Sequence, residues 1–148
     1  MDYNFSFKHF SELSAAELYV VLQLRQNVFI IEQNCIYPDL DNVDLSCFHL
    51  MMTNDSDLIG YCRIIEPGIA YNTSSIGRVI IKTAFKGKKL GLQLMKEAIL
   101  CCKNNWPDSG ISISAQAHLK GFYSSLSFVE QGKIYDEDGI PHIKMELK

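Results

Sequence analysis

Ile76-Gly77-Arg78-Val79-Ile80-Ile81-Lys82-Thr83-Ala84-Phe85-Lys86-Gly87-Lys88-Lys89-Leu90-Gly91 is the stretch on which the fold turns. Its first half is an apolar run of strand length, and Leu90, Leu94, Ala98, Ile99 and Cys102 then recur at helical spacing. A strand therefore feeds a helix through a turn rich in lysine and glycine. From Pro67 to Lys96 there is no Asp or Glu, yet Arg78, Lys82, Lys86, Lys88 and Lys89 gather five of the chain's 14 cations. Lysines crowded at a helix N-terminus oppose its dipole by ~0.3 to 1 kcal/mol each. A bound polyanion offsets this, because first-turn amides and ammonium groups then converge on its oxygens. Gly87 and Gly91 let such a ligand approach the main chain. The plainer alternative is a solvated basic face. Lys86 to Gly91 ends in neither Gly-Lys-Ser/Thr nor Gly-x-Gly-x-x-Gly, so a nucleotide-hydrolysing P-loop and a dinucleotide fingerprint are both set aside.

Outward from this turn, the chain reads as one α/β unit, a single domain over residues 1–148. Tyr3, Phe5 and Phe7 alternate as in a half-buried strand. Ser14-Ala15-Ala16-Glu17 is a capping box, and Leu18, Val21, Leu22, Arg25, Val28 and Phe29 continue a helix from about Ser14 to Ile31. Glu32 to Asp44, with Pro38 and three aspartates, has no period and reads as a loop. Cys47–Thr53 and Leu58–Ile65 flank Asn54-Asp55-Ser56-Asp57 as a hairpin. Ile76–Lys82 is a strand, the following helix stops before Pro107, and Ile111–Ala115 is a strand again. Leu119, Phe122, Tyr123 and Leu126 line a short helix, and strands Phe128–Tyr135 and Ile140–Leu147 close the chain. The order is β-α-β-β-β-α-β-α-β-β, a mixed sheet with helices on its faces.

Composition narrows the class. The 148 residues carry 14 Lys plus Arg against 17 Asp plus Glu, a net charge of −3, and 47% are hydrophobic. That length buries roughly two-thirds of the unfolded surface without staples. The mild acidity makes nucleic acid an unexpected partner. No apolar run approaches the ~18 residues of a membrane span. Met1-Asp2-Tyr3-Asn4 lacks a signal-peptide start and the C-terminus carries no lipidation motif, so a cytoplasmic address is expected. Five cysteines without Cys-x-x-Cys spacing read as free thiols, and no metal is expected.

The strand Ile76 to Ile81, the loop Lys86 to Gly91 and Phe122-Tyr123-Ser124-Ser125-Leu126-Ser127-Phe128 together resemble the GNAT N-acetyltransferases along nearly the whole chain. Leu24-Arg25-Gln26-Asn27-Val28-Phe29, Glu32-Gln33-Asn34-Cys35, Ala115-Gln116-Ala117-His118 and Glu137-Asp138-Gly139-Ile140-Pro141-His142 are similar to its ElaA-like branch. The resemblance implies a GNAT fold, with a mixed, mostly antiparallel sheet splayed at its central strands and helices on both faces. It also implies acetyl-CoA as co-substrate and an amine acceptor. Pantetheine would pair with the main chain of Val79, Ile80 and Ile81, and the diphosphate would sit on Lys86, Gly87, Lys88, Lys89, Leu90 and Gly91. Lys89 stands where the family's loop carries its first glycine, and Ser127 where the later segment has glycine. Gln116 falls where many members carry a pantetheine-binding asparagine, and a strand-end capping amide is the alternative.

Acetyl transfer needs a neutral amine, a stabilised oxyanion and a protonated leaving thiolate. An amine of pKa ~10.4 is neutral about once in 2,500 molecules at pH 7, so a base or a desolvating pocket must help. By resemblance Tyr123 is the general acid and a main-chain N–H near Ile80 holds the oxyanion. From the residues alone Tyr123 belongs to an apolar stripe. Glu32 and His142 are the leading candidate bases, ahead of Asp138 and His118. Glu32 at a helix end has the alternative of pairing with Arg25. Asp39, Asp41, Asp44 and Asp136-Glu137-Asp138 either line an acceptor entrance that attracts cations or are solvated loop acids. Direct ternary-complex transfer is expected, with Cys35 or Cys47 as a minor covalent route. A silent acyl-CoA sensor and an enzyme for longer acyl-CoA are the competing functions. Dimerisation follows by analogy alone.

Overall fold

Ser14 starts the first helix as its capping box predicts: the hydroxyl accepts from the Glu17 amide, and the Glu17 carboxylate accepts from the Ser14 amide. In this computed structural model, which describes residues 3–148, the helix is α1 (Ala15–Arg25) and continues as a π-helix, Gln26–Glu32. Met1 and Asp2, which entered the reading of the N-terminus, lie outside the described residues. The widened turns at the helix end show in amides that reach back five residues, Gln33 to Val28 and Cys35 to Ile30. The expected helix to Ile31 is thus present, but its last two turns are π rather than α.

Seven strands follow the expected order: β1 (Asn4–His9), β2 (Phe48–Asn54), β3 (Asp57–Ile65), β4 (Ser74–Ile81), β5 (Ile111–Gln116), β6 (Val129–Glu137) and β7 (Ile140–Leu147). They form one sheet in the order β1-β2-β3-β4-β5-β7-β6, antiparallel at every step except β4 to β5. On one face α1 buries Val21 and Leu24, and the π-helix after it Val28, against Met51, Tyr61 and Ile80. On the other, α2 (Leu90–Asn105) packs Leu94, Met95 and Ala98 with Ile64, Ile76 and Ile113, and Tyr123 of α3 (Lys120–Ser124) joins that core. α2 ends ahead of Pro107, where the Trp106 amide donates to the Cys102 carbonyl.

Two irregularities in β4 shape the centre of the sheet. Tyr61 pairs with Ile80 and Arg63 with Gly77, so a step of two residues on β3 faces a step of three on β4. The extra residue makes a bulge at Arg78, whose φ is 52°. Ile76 and Val79 therefore both face the α2 core, three residues apart. Next to the bulge, β4 and β5 pair only at Ser74–Ile111 and Ser75–Ser112. Past Ser75, among the described residues, no strand pairs with β4 on its β5 side.

The loop between helix and sheet is held by charge. Arg25, fully buried in α1, donates to the Asp39 carboxylate at 2.9 Å, the Asp39 carbonyl at 3.0 Å and Asp44 at 2.7 Å. Arg63 donates to Asp41 at 2.8 Å and Asp44 at 3.1 Å. Arg78 donates to Asp39 at 2.7 Å, so the bulge is pinned by the same loop. Asp39 and Asp44 are therefore not solvated acids, and Asp41, although its side chain is 31% exposed, is paired like them, so three guanidinium groups offset the charge that was expected to attract cationic acceptors. Arg25 pairs with two of these aspartates and not with Glu32, contrary to the expected alternative for that glutamate. Arg78 likewise leaves the basic cluster expected at the glycine turn.

Burial opposes ionisation of Asp44, but Arg25 and Arg63 outweigh it and hold the carboxyl below its usual range. Its stabilising contribution is thus complete above its unfolded pKa of ~3.9 and is lost as the pH falls below that value. Asp44→Asn leaves two buried cations short of a counter-charge, and a stability loss of about 3–5 kcal/mol is expected in urea unfolding at pH 7. The gap from the parent protein should narrow below pH ~4. A loss under about 1 kcal/mol would contradict this role for the network.

Candidate active site

The divergence of β4 from β5 opens a cavity of about 260 Å³. Tyr123, Gln116 and His142 meet there with Val79 of β4, while Arg63 and Arg78 line the β3–β4 wall. Tyr123 is 7% exposed and packs edge-on against Phe122 and Phe128. Burial, with a smaller contribution from Cys62, pushes its hydroxyl up to about 12, so it stays protonated and can donate. Gln116 ends β5 opposite His142 of β7.

The candidate bases are placed differently. His142 is buried against the cavity, with Nδ1 2.7 Å from the Ile140 carbonyl and Nε2 3.2 Å from the Glu137 carboxylate. Both partners are acceptors, so the two contacts form together only when both ring nitrogens carry hydrogen. Glu137 also accepts from Ser114 at 3.3 Å. Glu32 is not among the cavity residues; at the end of the π-helix it accepts a short hydrogen bond from Thr83, beside the start of the basic loop. Asp138 lines the cavity, and its carbonyl accepts from the Cys35 thiol at 3.4 Å. His118 is not among the lining residues.

The basic turn leads into the N-terminus of α2. Gly87 has φ 84°, and Lys89, the residue before the helix, has φ 59° without any side-chain cap. The first amides of α2 therefore have neither an intrahelical partner nor a cap. Lys82 pairs with Asp57, and Lys88 lies over the Phe85 ring. Among the described residues Lys86, Lys88 and Lys89 have no carboxylate within ion-pair distance. A Cβ on Gly91 would meet Ile81 and Phe122 at 3.9 Å, an ordinary contact, so the protein alone does not demand glycine there. The turn has amides, a helix dipole and three unpaired ammonium groups, a set able to hold a diphosphate. Of the strand residues, Ile80 turns its side chain into the α1 core and Ile81 packs at the α2 core.

Asp44, Cys47 and His49 bring ligand atoms within 4.8 Å of one another. They fit a cation poorly, because Asp44 already holds two guanidinium groups and burial pushes the Cys47 thiol up to about 12. The same burial removes Cys47 as a nucleophile at neutral pH. Sequence reasoning missed Arg63 and Arg78 as cavity residues. A signal existed: Arg63 interrupts an apolar strand and Arg25 an apolar helix stripe, and buried charges require partners.

A sheet splayed at its centre beside a lysine-rich turn at the next helix matches the arrangement of known acyl-CoA transferases. Residues 23–148 match the family model described as an acetyltransferase (GNAT) domain. The chain belongs to the GNAT acetyltransferases, in the branch of ElaA. It is 44% identical to the protein ElaA of Escherichia coli over 139 residues, covering 93% of this chain and 91% of that one. A UPF0039 protein of Synechocystis is 38% identical over 98% of this chain and 95% of its own. Among solved structures, an acyl-CoA N-acyltransferase from Pseudomonas aeruginosa superposes with TM-score 0.95 at 39% identity, covering 99% of this chain and 100% of that one. An acyl-homoserine lactone synthase superposes with TM-score 0.80 at 14% identity, over 99% of this chain and 89% of that one, a likeness of fold alone.

The left-handed backbone at Lys89 costs an ordinary residue ~1–2 kcal/mol, least for residues that tolerate it. Lys89→Val should therefore lower the unfolding free energy further, because a β-branched side chain tolerates this conformation less well than lysine does. Lys89→Gly and Lys89→Asn should leave it unchanged or raise it. Equal stability of the valine and glycine variants would show that the turn does not hold this conformation.

Proposed function

We propose that this chain is an acetyl-CoA-dependent N-acetyltransferase that moves an acetyl group to a primary amine in a direct, ternary-complex reaction. The observation that carries the reading is the unpaired edge of β4 past Ser75, which runs toward the lysine turn at the start of α2. An extended pantetheine arm completes that edge as an added strand along Val79, Ile80 and Ile81, with Gln116 across the gap. Its diphosphate rests on the amides from Gly87 to Gly91 and on Lys86, Lys88 and Lys89. A cytoplasmic setting suits this co-substrate.

In the proposed reaction the neutral amine attacks the thioester carbonyl and a main-chain N–H near Ile80 bonds the developing oxyanion. The C–S bond then breaks, and Tyr123 donates its proton to the departing thiolate. The amine's proton is relayed through water to the His142–Glu137 pair, because the two ring nitrogens of His142 face the Ile140 carbonyl and the Glu137 carboxylate. Glu32, beside Thr83, takes the lesser part of ordering the loop. No thiol is acylated along this route.

Tyr123→Phe should lower kcat about a hundredfold or more while leaving acetyl-CoA affinity by calorimetry unchanged. An unchanged kcat would remove Tyr123 from the mechanism. His142→Gln should flatten the acidic limb of the turnover profile where Glu32→Gln preserves it, and the opposite pattern would reassign the base. Cys35→Ser should retain turnover; loss of activity with a trapped acyl-enzyme in the parent would favour the covalent route.

A further inference from the structure

We infer that the acceptor carries a carboxylate, which seats on the free edge of the Arg63 guanidinium; this rests on the proposed acyl transfer and specifies its second substrate. The three arginines that hold the aspartate loop spend their donors unequally. Arg25 and Arg78 each commit Nε to the Asp39 carboxylate and Nη2 to the Asp39 carbonyl. The hydrogen bonds of Arg63 leave from Nη1 alone, to Asp41 and Asp44. Its Nε is buried without any partner among the described residues, although the side chain as a whole is only 7% exposed.

A buried N–H without an acceptor is costly, and native structures rarely keep one without a reason. Arg63 stands on β3 opposite Gly77, beside the bulge, and lines the same cavity as Tyr123. The Nε and Nη2 hydrogens of a guanidinium form a rigid fork matched to the two oxygens of a carboxylate. Across the cavity, Glu137 and Asp138 belong to the β6–β7 hairpin, so one wall offers guanidinium donors and the other carboxylates. An amino acid or short peptide with a free amine and a free carboxylate matches this polarity, whereas a polyamine has no group for Arg63.

The test titrates ¹⁵N-labelled protein with N-acetylated amino acids, which resemble products, and with their carboxamides. The Nε–H resonance of Arg63, identified by its loss in Arg63→Lys, should shift saturably with the acids and not with the amides. No shift with any acid, or an equal shift with the amides, overturns the proposal. Should the variant not fold, matched acceptors decide with the parent protein. Amino acids should exceed their amides at least tenfold in kcat/KM, and equality or the reverse order overturns it. Failure of acetyl-CoA to bind would sink the transferase reading separately, because the resonance titration needs no CoA.

Discussion

The pivotal constraint is the brevity of the β4–β5 ladder. Parallel neighbours in a twisted sheet ordinarily share a run of hydrogen bonds, but here the pairing ends after Ser75 and Ser112. The bulge at Arg78 supplies the reason, since an inserted residue increases local twist and swings β4 away from β5. Everything proposed for function occupies the resulting gap: an exposed strand edge, a cavity bounded by Tyr123 and His142, and a helix start at the far end of the same strand. A continuous sheet would have no such opening.

The bulge is itself maintained by electrostatics. An arginine with positive φ is an unfavourable choice that persists only when its surroundings determine it. Asp39 does so by taking Arg78 on one carboxylate oxygen and Arg25 on the other. The loop thereby ties α1, β3 and β4 into one body. Hydrophobic packing alone would not do this, because it is non-directional and sets no backbone angle. The network also has a chemical consequence, because the wall of the cavity is built from guanidinium groups already oriented by their aspartates.

Local signals were legible in the sequence and long-range pairing was not. The capping box at Ser14, the hairpin around Asp55 and the stop before Pro107 each depend on neighbours within a few residues, and each was found. The lysine turn was legible as a charge anomaly, although two of its supposed members, Arg78 and Lys82, are spent on Asp39 and Asp57. The pairing of the aspartate loop is not legible in the sequence, because its partners stand 14 to 39 residues away in elements of apolar pattern. The separation of Glu32 from the cavity is equally hidden in the sequence, because its partner Thr83 lies 51 residues away.

Hydrogen exchange at the amides of Val79, Ile80 and Ile81, with and without acetyl-CoA, tests the central claim most directly. If the open edge of β4 receives the pantetheine arm as an added strand, those amides become protected on binding while β1, remote from the gap, is unchanged. Binding that leaves the exchange of Val79 to Ile81 unaltered would contradict the account.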